Sequence, residues 1–68
     1  MALDLSIRPI AVPKPTAAEM LGMSVDSFER YAMSDLRCIR RGRLRLYPVA
    51  ELERWALENA ERLLEVAQ

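Results

Sequence analysis

The sequence predicts a single small domain that is mainly α-helical and carries one small β-hairpin. Three observations predict it: two short helical stretches meet at Gly22, apolar residues alternate with arginines around Gly42, and a long amphipathic stretch follows Pro48. The chain has 68 residues, of which 51% are hydrophobic and 29% are charged. This composition is that of an ordinary globular domain, so one domain with one core is expected.

The first 13 residues predict an extended N-terminal arm. Pro9 and Pro13, with Pro15 just beyond, exclude a helix here because proline lacks a backbone N–H and disfavours the helical conformation of the residue before it. Ile10 and Val12 allow the arm to lie against the domain as a strand, and a loose arm fits the same residues. The folded domain itself is expected over residues 14–68.

Two short helices are predicted over about 15–22 and 25–33. Pro15 suits the first turn of a helix, Gly22 suits a helix end, and Ser24 offers an N-cap for the second helix. Ala18, Gly22 and Phe28 lie four and then six residues apart. This spacing is typical of a helix-turn-helix, with a small residue at the crossing, a glycine in the turn and a large apolar residue between the helices. A compact helical hairpin of another kind is the alternative for the corner alone.

A β-hairpin is predicted over 37–47. Ile39, Leu44 and Leu46 alternate with arginines, and Gly42 lies where a tight turn would join two strands. Such alternation is typical of strands that bury one face, so a hairpin with an exposed basic face is expected.

A third helix is predicted over about 48–66, because Pro48 opens a stretch with a helical period. Its apolar side is broad and contains Leu52, Trp55, Ala56, Ala60, Leu63, Leu64, Val66 and Ala67. One interpretation is that the whole side packs on a small core. The other is that the last two turns, around Leu63 and Leu64, contact a partner chain.

The charge is unevenly distributed, although the net charge is zero. Residues 37–45 contain five of the ten basic residues and no acid, and all five are arginines: Arg37, Arg40, Arg41, Arg43 and Arg45. A local basic cluster of this kind attracts a phosphate backbone even when the whole chain is neutral. Nucleic acid is therefore the expected partner.

Three blocks of the sequence, TAAEMLGMSVDSFERY, IRRGRLRLYP and AELERW, occur in an order that resembles the small winged helix-turn-helix family of phage excisionases. That family is related to the DNA-binding half of mercury-resistance-type regulators, and the resemblance covers about residues 14–57. It implies a winged helix-turn-helix fold in which the second helix enters the major groove of double-stranded DNA. The hairpin, or wing, then lies on the backbone or in the adjacent minor groove.

The resemblance also implies which residues contact DNA. If Phe28 and Tyr31 point inward, the DNA-facing residues of the second helix are Ser24, Val25, Asp26, Ser27, Glu29 and Arg30. Arg30 is suited to a guanine edge. Since Asp26 and Glu29 repel phosphates, most of the affinity is expected from the five wing arginines, whose planar guanidinium groups pair well with phosphate.

Several classes of function find no support in the residues. The chain has no His and no Gly-rich phosphate loop, and Cys38 is its only cysteine, so neither catalysis, a metal nor another cofactor is expected. No apolar run approaches the length of a membrane span, and the first residues do not form a signal peptide. The expected location is the cytoplasm of a bacterial host cell, on the nucleoid when the protein is bound to DNA.

The function expected from the resemblance is that of an excisionase, or recombination directionality factor. Such a protein binds and bends attachment-site DNA, often as neighbouring copies, and so helps a tyrosine or serine integrase to excise a prophage. A small transcriptional regulator or repressor with the same fold is the first alternative. A protein-interaction adaptor that uses the apolar C-terminal helix is the second.

Overall fold

The sheet formed by the described residues has three strands, because the predicted N-terminal arm contributes one of them. The computed structural model describes residues 8–61. Strand β1 (Ala11–Pro13) pairs antiparallel with strand β3 (Leu44–Pro48), which also pairs antiparallel with strand β2 (Ile39–Arg41). The order in the sheet is β1-β3-β2. The predicted hairpin is therefore part of a mixed α/β domain with three helices and a three-stranded antiparallel sheet.

The helical corner begins with helix α1 (Lys14–Met20), which carries Pro15 in its first turn. Ala17 and Ala18 are buried, as a close crossing of helices requires. The chain then turns at Gly22, whose φ of +76° lies in the left-handed region that favours glycine. Backbone bonds from Gly22 N–H to the Glu19 carbonyl and from Met23 N–H to the Ala18 carbonyl end the helix.

The second helical segment spans 25–35 and changes its winding along the way. It starts as helix α2 (Val25–Ser27) behind the predicted cap, Ser24. It continues as a π-helical stretch, Phe28–Ala32, and finishes as a 3₁₀ turn, Met33–Asp35. The π-helical bond runs from the Met33 N–H to the Phe28 carbonyl, five residues back.

The π-helical winding overturns the expectation that Tyr31 points inward. A π-helical turn contains more residues than an α-helical turn. Ala32, four positions after Phe28, therefore lies on the same side of the helix as Phe28, whereas Tyr31, three positions after it, does not. Ala32 is accordingly buried, whereas Tyr31 is 60% exposed.

The hairpin is formed by β2 and β3 and turns at Gly42, whose φ is +56°. The expected division into an apolar buried face and a basic exposed face is wrong. Ile39 and Leu44 are 41% and 55% exposed, because they lie on the face of the hairpin opposite to the one that carries the buried Tyr47. Only Tyr47, near the end of β3, is buried in this hairpin.

Helix α3 (Val49–Asn59) is shorter than the predicted 48–66. It ends at Asn59, since Ala60 has an extended backbone with ψ of 138°. The Asn59 side-chain amide donates to the Trp55 carbonyl at 2.9 Å and so takes part in ending the helix. Ala56 and Ala60, assigned to the apolar side, are exposed, so no core contact extends the helix there. The predicted contact residues Leu63 and Leu64 lie outside the described residues.

The core is built around Phe28, which is fully buried. Its ring meets the ring of Tyr47 edge to face, with the centroids 5.2 Å apart and the planes at 85°. The other buried members of the cluster are Val12, Ala17, Ala18, Ala32 and Leu52. From the sequence we expect Ala18, Leu21, Phe28, Leu52 and Trp55 to be buried together. Burial of Ala18, Phe28 and Leu52 is confirmed, while Leu21 and Trp55 are only half-buried against the cluster. Within residues 8–61, no helix is long and apolar enough to cross a membrane.

Glu51 connects α3 to the chain that leads into the hairpin. Its carboxylate accepts a hydrogen bond from the Arg37 backbone N–H at 2.8 Å and another from Arg54 Nη2 at 3.0 Å. Arg54 Nη2 also donates to the Asp35 carbonyl at 3.0 Å. These bonds hold the base of the hairpin against the helix.

Replacing Glu51 by Gln should lower the midpoint of thermal unfolding at neutral pH. Bonds from Arg54 and from the Arg37 backbone hold the pKa of Glu51 below its ordinary value of 4.5 in the folded protein. Such a carboxyl stabilises the fold above its unfolded-state pKa, and the contribution disappears as the pH falls through the lower folded-state pKa. Melting curves of E51Q and the unmutated protein should therefore converge in acid. The exposed neighbour Glu53 supplies the control, E53Q; a Glu51 effect that did not depend on pH would contradict the assignment.

Candidate nucleic-acid interface

The predicted recognition residues lie on the helical segment 25–35 and on its cap. The Ser24 hydroxyl accepts a hydrogen bond from the Ser27 backbone N–H at 3.1 Å, and Ser27 itself is half-buried. The remaining members of the set are exposed: Ser24, Val25, Asp26, Glu29 and Arg30. One short segment therefore presents a hydroxyl, an apolar group, two carboxylates and a guanidinium to solvent.

The contacts of Arg30 with the other described residues are weak. Its Nη2 lies 3.3 Å from Asp26 Oδ2, one helical turn earlier, and both side chains are more than 60% exposed. The guanidinium carbon also lies 5.9 Å from the centre of the Tyr31 ring. Exposed pairs of this kind contribute little to stability, so Arg30 is free to exchange them for a ligand.

Glu29 is neutralised by a residue from another element. Lys14, at the start of α1, donates to the Glu29 carboxylate at 2.5 Å, and this bond raises the pKa of Lys14 above its ordinary value. From the sequence alone, Glu29 is expected to repel phosphates. The pair reduces that repulsion and places a lysine beside the recognition segment.

The five predicted wing arginines, Arg37, Arg40, Arg41, Arg43 and Arg45, are all exposed. Ion pairs among residues 8–61 involve the cations of Lys14, Arg30 and Arg54. Within that range, none of the five wing arginines therefore pairs with a carboxylate. Their charges are left to solvent or to a ligand.

The wing arginines do not share one face of the hairpin. Arg40 and Arg45 are directly opposite each other on neighbouring strands and lie on the face that also carries Tyr47. Arg41 is opposite Leu44 on the other face. Arg43 lies in the turn, and Arg37 precedes β2. The hairpin is thus basic on both faces and at its tip.

Arg40 and Arg45 face a cleft of about 360 Å³ between the hairpin, the start of α1 and the helical segment 25–35. Its lining residues are Lys14, Met33, Cys38, Arg40, Arg45 and Tyr47. We call it the cationic cleft. Burial, together with the neighbouring Cys38, raises the pKa of the Tyr47 phenol, so the phenol is neutral and keeps its proton at physiological pH. The cleft connects the predicted wing with the predicted recognition segment.

Tyr31 and Lys14 belong to the candidate nucleic-acid interface, although no pattern in the sequence assigns them to it. Tyr31 is exposed because of the π-helical winding, which no periodic pattern in the sequence signals. Lys14 belongs to a different element and is 15 residues from Glu29 in the chain. A contact of that range is visible only once α1 and the segment 25–35 are packed together.

Comparisons with protein-family models, with curated proteins and with solved structures find no match to this chain.

Proposed function

We propose that this chain is a sequence-specific double-stranded DNA-binding protein with a winged helix-turn-helix architecture. Helix α1, the turn at Gly22 and the segment 25–35 form the helical corner, and the hairpin of β2 and β3 is the wing. The segment 25–35 enters the major groove with Arg30 toward a base edge, and the wing lies along the phosphate backbone. The role is one of binding rather than catalysis.

The observation that carries this proposal is that the wing arginines are clustered and exposed and form no ion pairs within residues 8–61. Five guanidinium groups within nine residues repel one another, and within residues 8–61 none of them forms an ion pair with a carboxylate. Like charges placed close together destabilise a small hairpin. A polyanion that releases its counterions on binding removes that cost, and duplex DNA is such a polyanion.

The biological role we propose is that of an excisionase, in keeping with the resemblance to that family. The protein binds attachment-site DNA, bends it as neighbouring copies and helps a tyrosine or serine integrase to assemble for excision. A transcriptional regulator would use the same surface at a promoter. An excision assay separates these roles: with the integrase and the attachment sites present, adding this protein should increase excised product. Repression of a promoter without any effect on excision would favour the regulator.

A footprint and a set of duplex titrations test the binding itself. The full chain should protect a short site in the attachment region and bind it more tightly than a scrambled duplex of equal length. Binding to both duplexes should weaken as salt is raised. The logarithm of the binding constant should fall with the logarithm of the salt concentration, with a slope of about 0.9 for each phosphate that the protein neutralises. Binding to neither duplex, or binding that ignores salt, would contradict the proposal, and binding to heparin alone would favour a protein-interaction role with an acidic partner.

A further inference from the structure

The cationic cleft contains a like-charge pair that the fold does not compensate. Arg40 and Arg45 are cross-strand partners, and side chains that are directly opposite in an antiparallel pair lie close together. Neither forms an ion pair within the described part of the chain. Two positive charges are thus held side by side at the mouth of one cleft.

The backbone of the turn holds one of these guanidinium groups in place. Arg45 Nη1 donates to the Gly42 carbonyl at 3.0 Å and to the Leu44 carbonyl at 2.8 Å. Among the residues that the structure describes, these are the side-chain hydrogen bonds that Arg45 makes. Its Nε and Nη2 donors are therefore available, and their plane is fixed in advance.

Two further residues of the cleft add a third cation and a neutral donor. Lys14 lines the cleft while bonded to Glu29, and Tyr47, in its neutral form, contributes a hydroxyl that can donate. Met33 and Cys38 form the apolar part of the lining. Cations and a hydroxyl in a partly apolar cleft match a small oxyanion such as a phosphate group.

We infer that the cationic cleft binds a single phosphate group, with Arg40 and Arg45 as its principal ligands and Lys14 as an auxiliary cation. On the proposed function, that group is a phosphodiester of the DNA backbone next to the major groove occupied by segment 25–35. Inorganic phosphate is the other source of the same chemistry. Glu29 limits the auxiliary role, because a phosphate has to share Lys14 with that carboxylate.

A phosphate in the cleft should also affect the protein in the absence of DNA. Between Arg40 and Arg45 it replaces repulsion by attraction, so it should stabilise the folded state. A ligand that binds only the folded state raises the unfolding midpoint in proportion to the logarithm of its concentration. For a domain of this size, phosphate at ten times its Kd should raise the midpoint by about 6–11 °C.

Two double variants that each remove two positive charges isolate the cleft. R40Q/R45Q removes the facing pair, whereas R41Q/R43Q removes one arginine from the opposite face and one from the turn. Thermal unfolding is followed in inorganic phosphate and in chloride at equal ionic strength. The unmutated protein and R41Q/R43Q should gain stability in phosphate. R40Q/R45Q should show only the general salting-out effect of phosphate, which is common to all three proteins.

The R40Q/R45Q variant is expected to fold, since both side chains are exposed and their mutual repulsion is removed. Its midpoint in chloride should equal or exceed that of the unmutated protein. Equal phosphate effects in all three proteins would overturn the inference, whatever the duplex titrations show.

Duplex titrations of the same proteins identify the source of the phosphate. If the phosphate belongs to DNA, the logarithm of the binding constant of R40Q/R45Q should fall less steeply with the logarithm of the salt concentration. The slope should be smaller by about 0.9, because the variant neutralises one phosphate fewer. An unchanged slope, together with the absence of a specific phosphate effect on the midpoint of the variant, would support the cleft as a site for inorganic phosphate. If the unmutated protein bound no duplex and still showed the phosphate effect, the proposed function would fail while the phosphate site would stand.

Discussion

Replacing Phe28 by Ala should lower the free energy of unfolding by about 3–5 kcal/mol. The side chain is fully buried and meets Tyr47 edge to face, so its removal leaves a cavity where α1, the segment 25–35 and the sheet converge. A chain of 68 residues has a total stability of roughly 3–10 kcal/mol. F28A should therefore be partly or wholly unfolded at 25 °C, which circular dichroism in a urea series would measure.

Tyr31→Ala is the matched control, because it removes a second aromatic ring from the same π-helical stretch. Tyr31 is 60% exposed, and exposed substitutions usually change stability by less than about 0.5 kcal/mol. The contrast between F28A and Y31A tests the winding directly. If the stretch were α-helical, Tyr31 would share the buried side of Phe28 and both variants would be destabilised to a comparable extent.

Replacing Arg30 by Ala should cost about 1–3 kcal/mol of binding free energy on the specific duplex and almost nothing on scrambled DNA. The reason is that a guanidinium at a base edge carries sequence information, whereas a phosphate contact does not. Among residues 8–61, the partners of Arg30 are the exposed carboxylate of Asp26 and the Tyr31 ring, so its removal should leave the fold intact. Fluorescence anisotropy on both duplexes at several salt concentrations measures the difference.

Replacing Glu29 by Gln, on the same segment, should strengthen DNA binding where the Arg30 variant weakens it. It removes a negative charge and releases Lys14 from its ion pair, so two changes favour phosphate at once. Non-specific affinity should rise, and the salt slope should become steeper.

If R30A weakened specific and scrambled binding by the same factor, Arg30 would be a phosphate contact and not a base contact.

Local signals in the sequence predicted the local structure well. Ser24 caps the segment 25–35, Gly22 and Gly42 adopt the left-handed conformation at the two turns, and Phe28 occupies the core. The cap and the two turns depend on residues within a few positions of one another, and the spacing of Ala18, Gly22 and Phe28 lies within one helical corner.

The remaining features depend on contacts between distant elements or on rare backbone winding. The partner of Val12 is Tyr47, 35 residues away, so the third strand was only one of two options for the arm. Ile39 and Leu44 follow a strand pattern, but the assembled core packs on the face of the sheet that carries Tyr47, so both residues on the other face stay exposed. The predicted end of α3 followed an apolar period that continues after Trp55, although the core contacts of the described helix stop there.

At the candidate site, the sequence indicated the arginines and the exposed segment, but not that Arg40, Arg45 and Lys14 share a cleft.

The order of the strands also bears on how the protein behaves at high concentration. A sheet of order β1-β3-β2 has two outer strands, and unpaired outer strands are templates for joining sheets of different molecules into aggregates. Both outer strands here have three residues. The first ends in Pro13, which has no N–H to offer, and the second carries Arg40 and Arg41, whose charges would repel the same strand of another copy. The basic residues of the hairpin thus protect the protein from amyloid-like association as long as they are not neutralised.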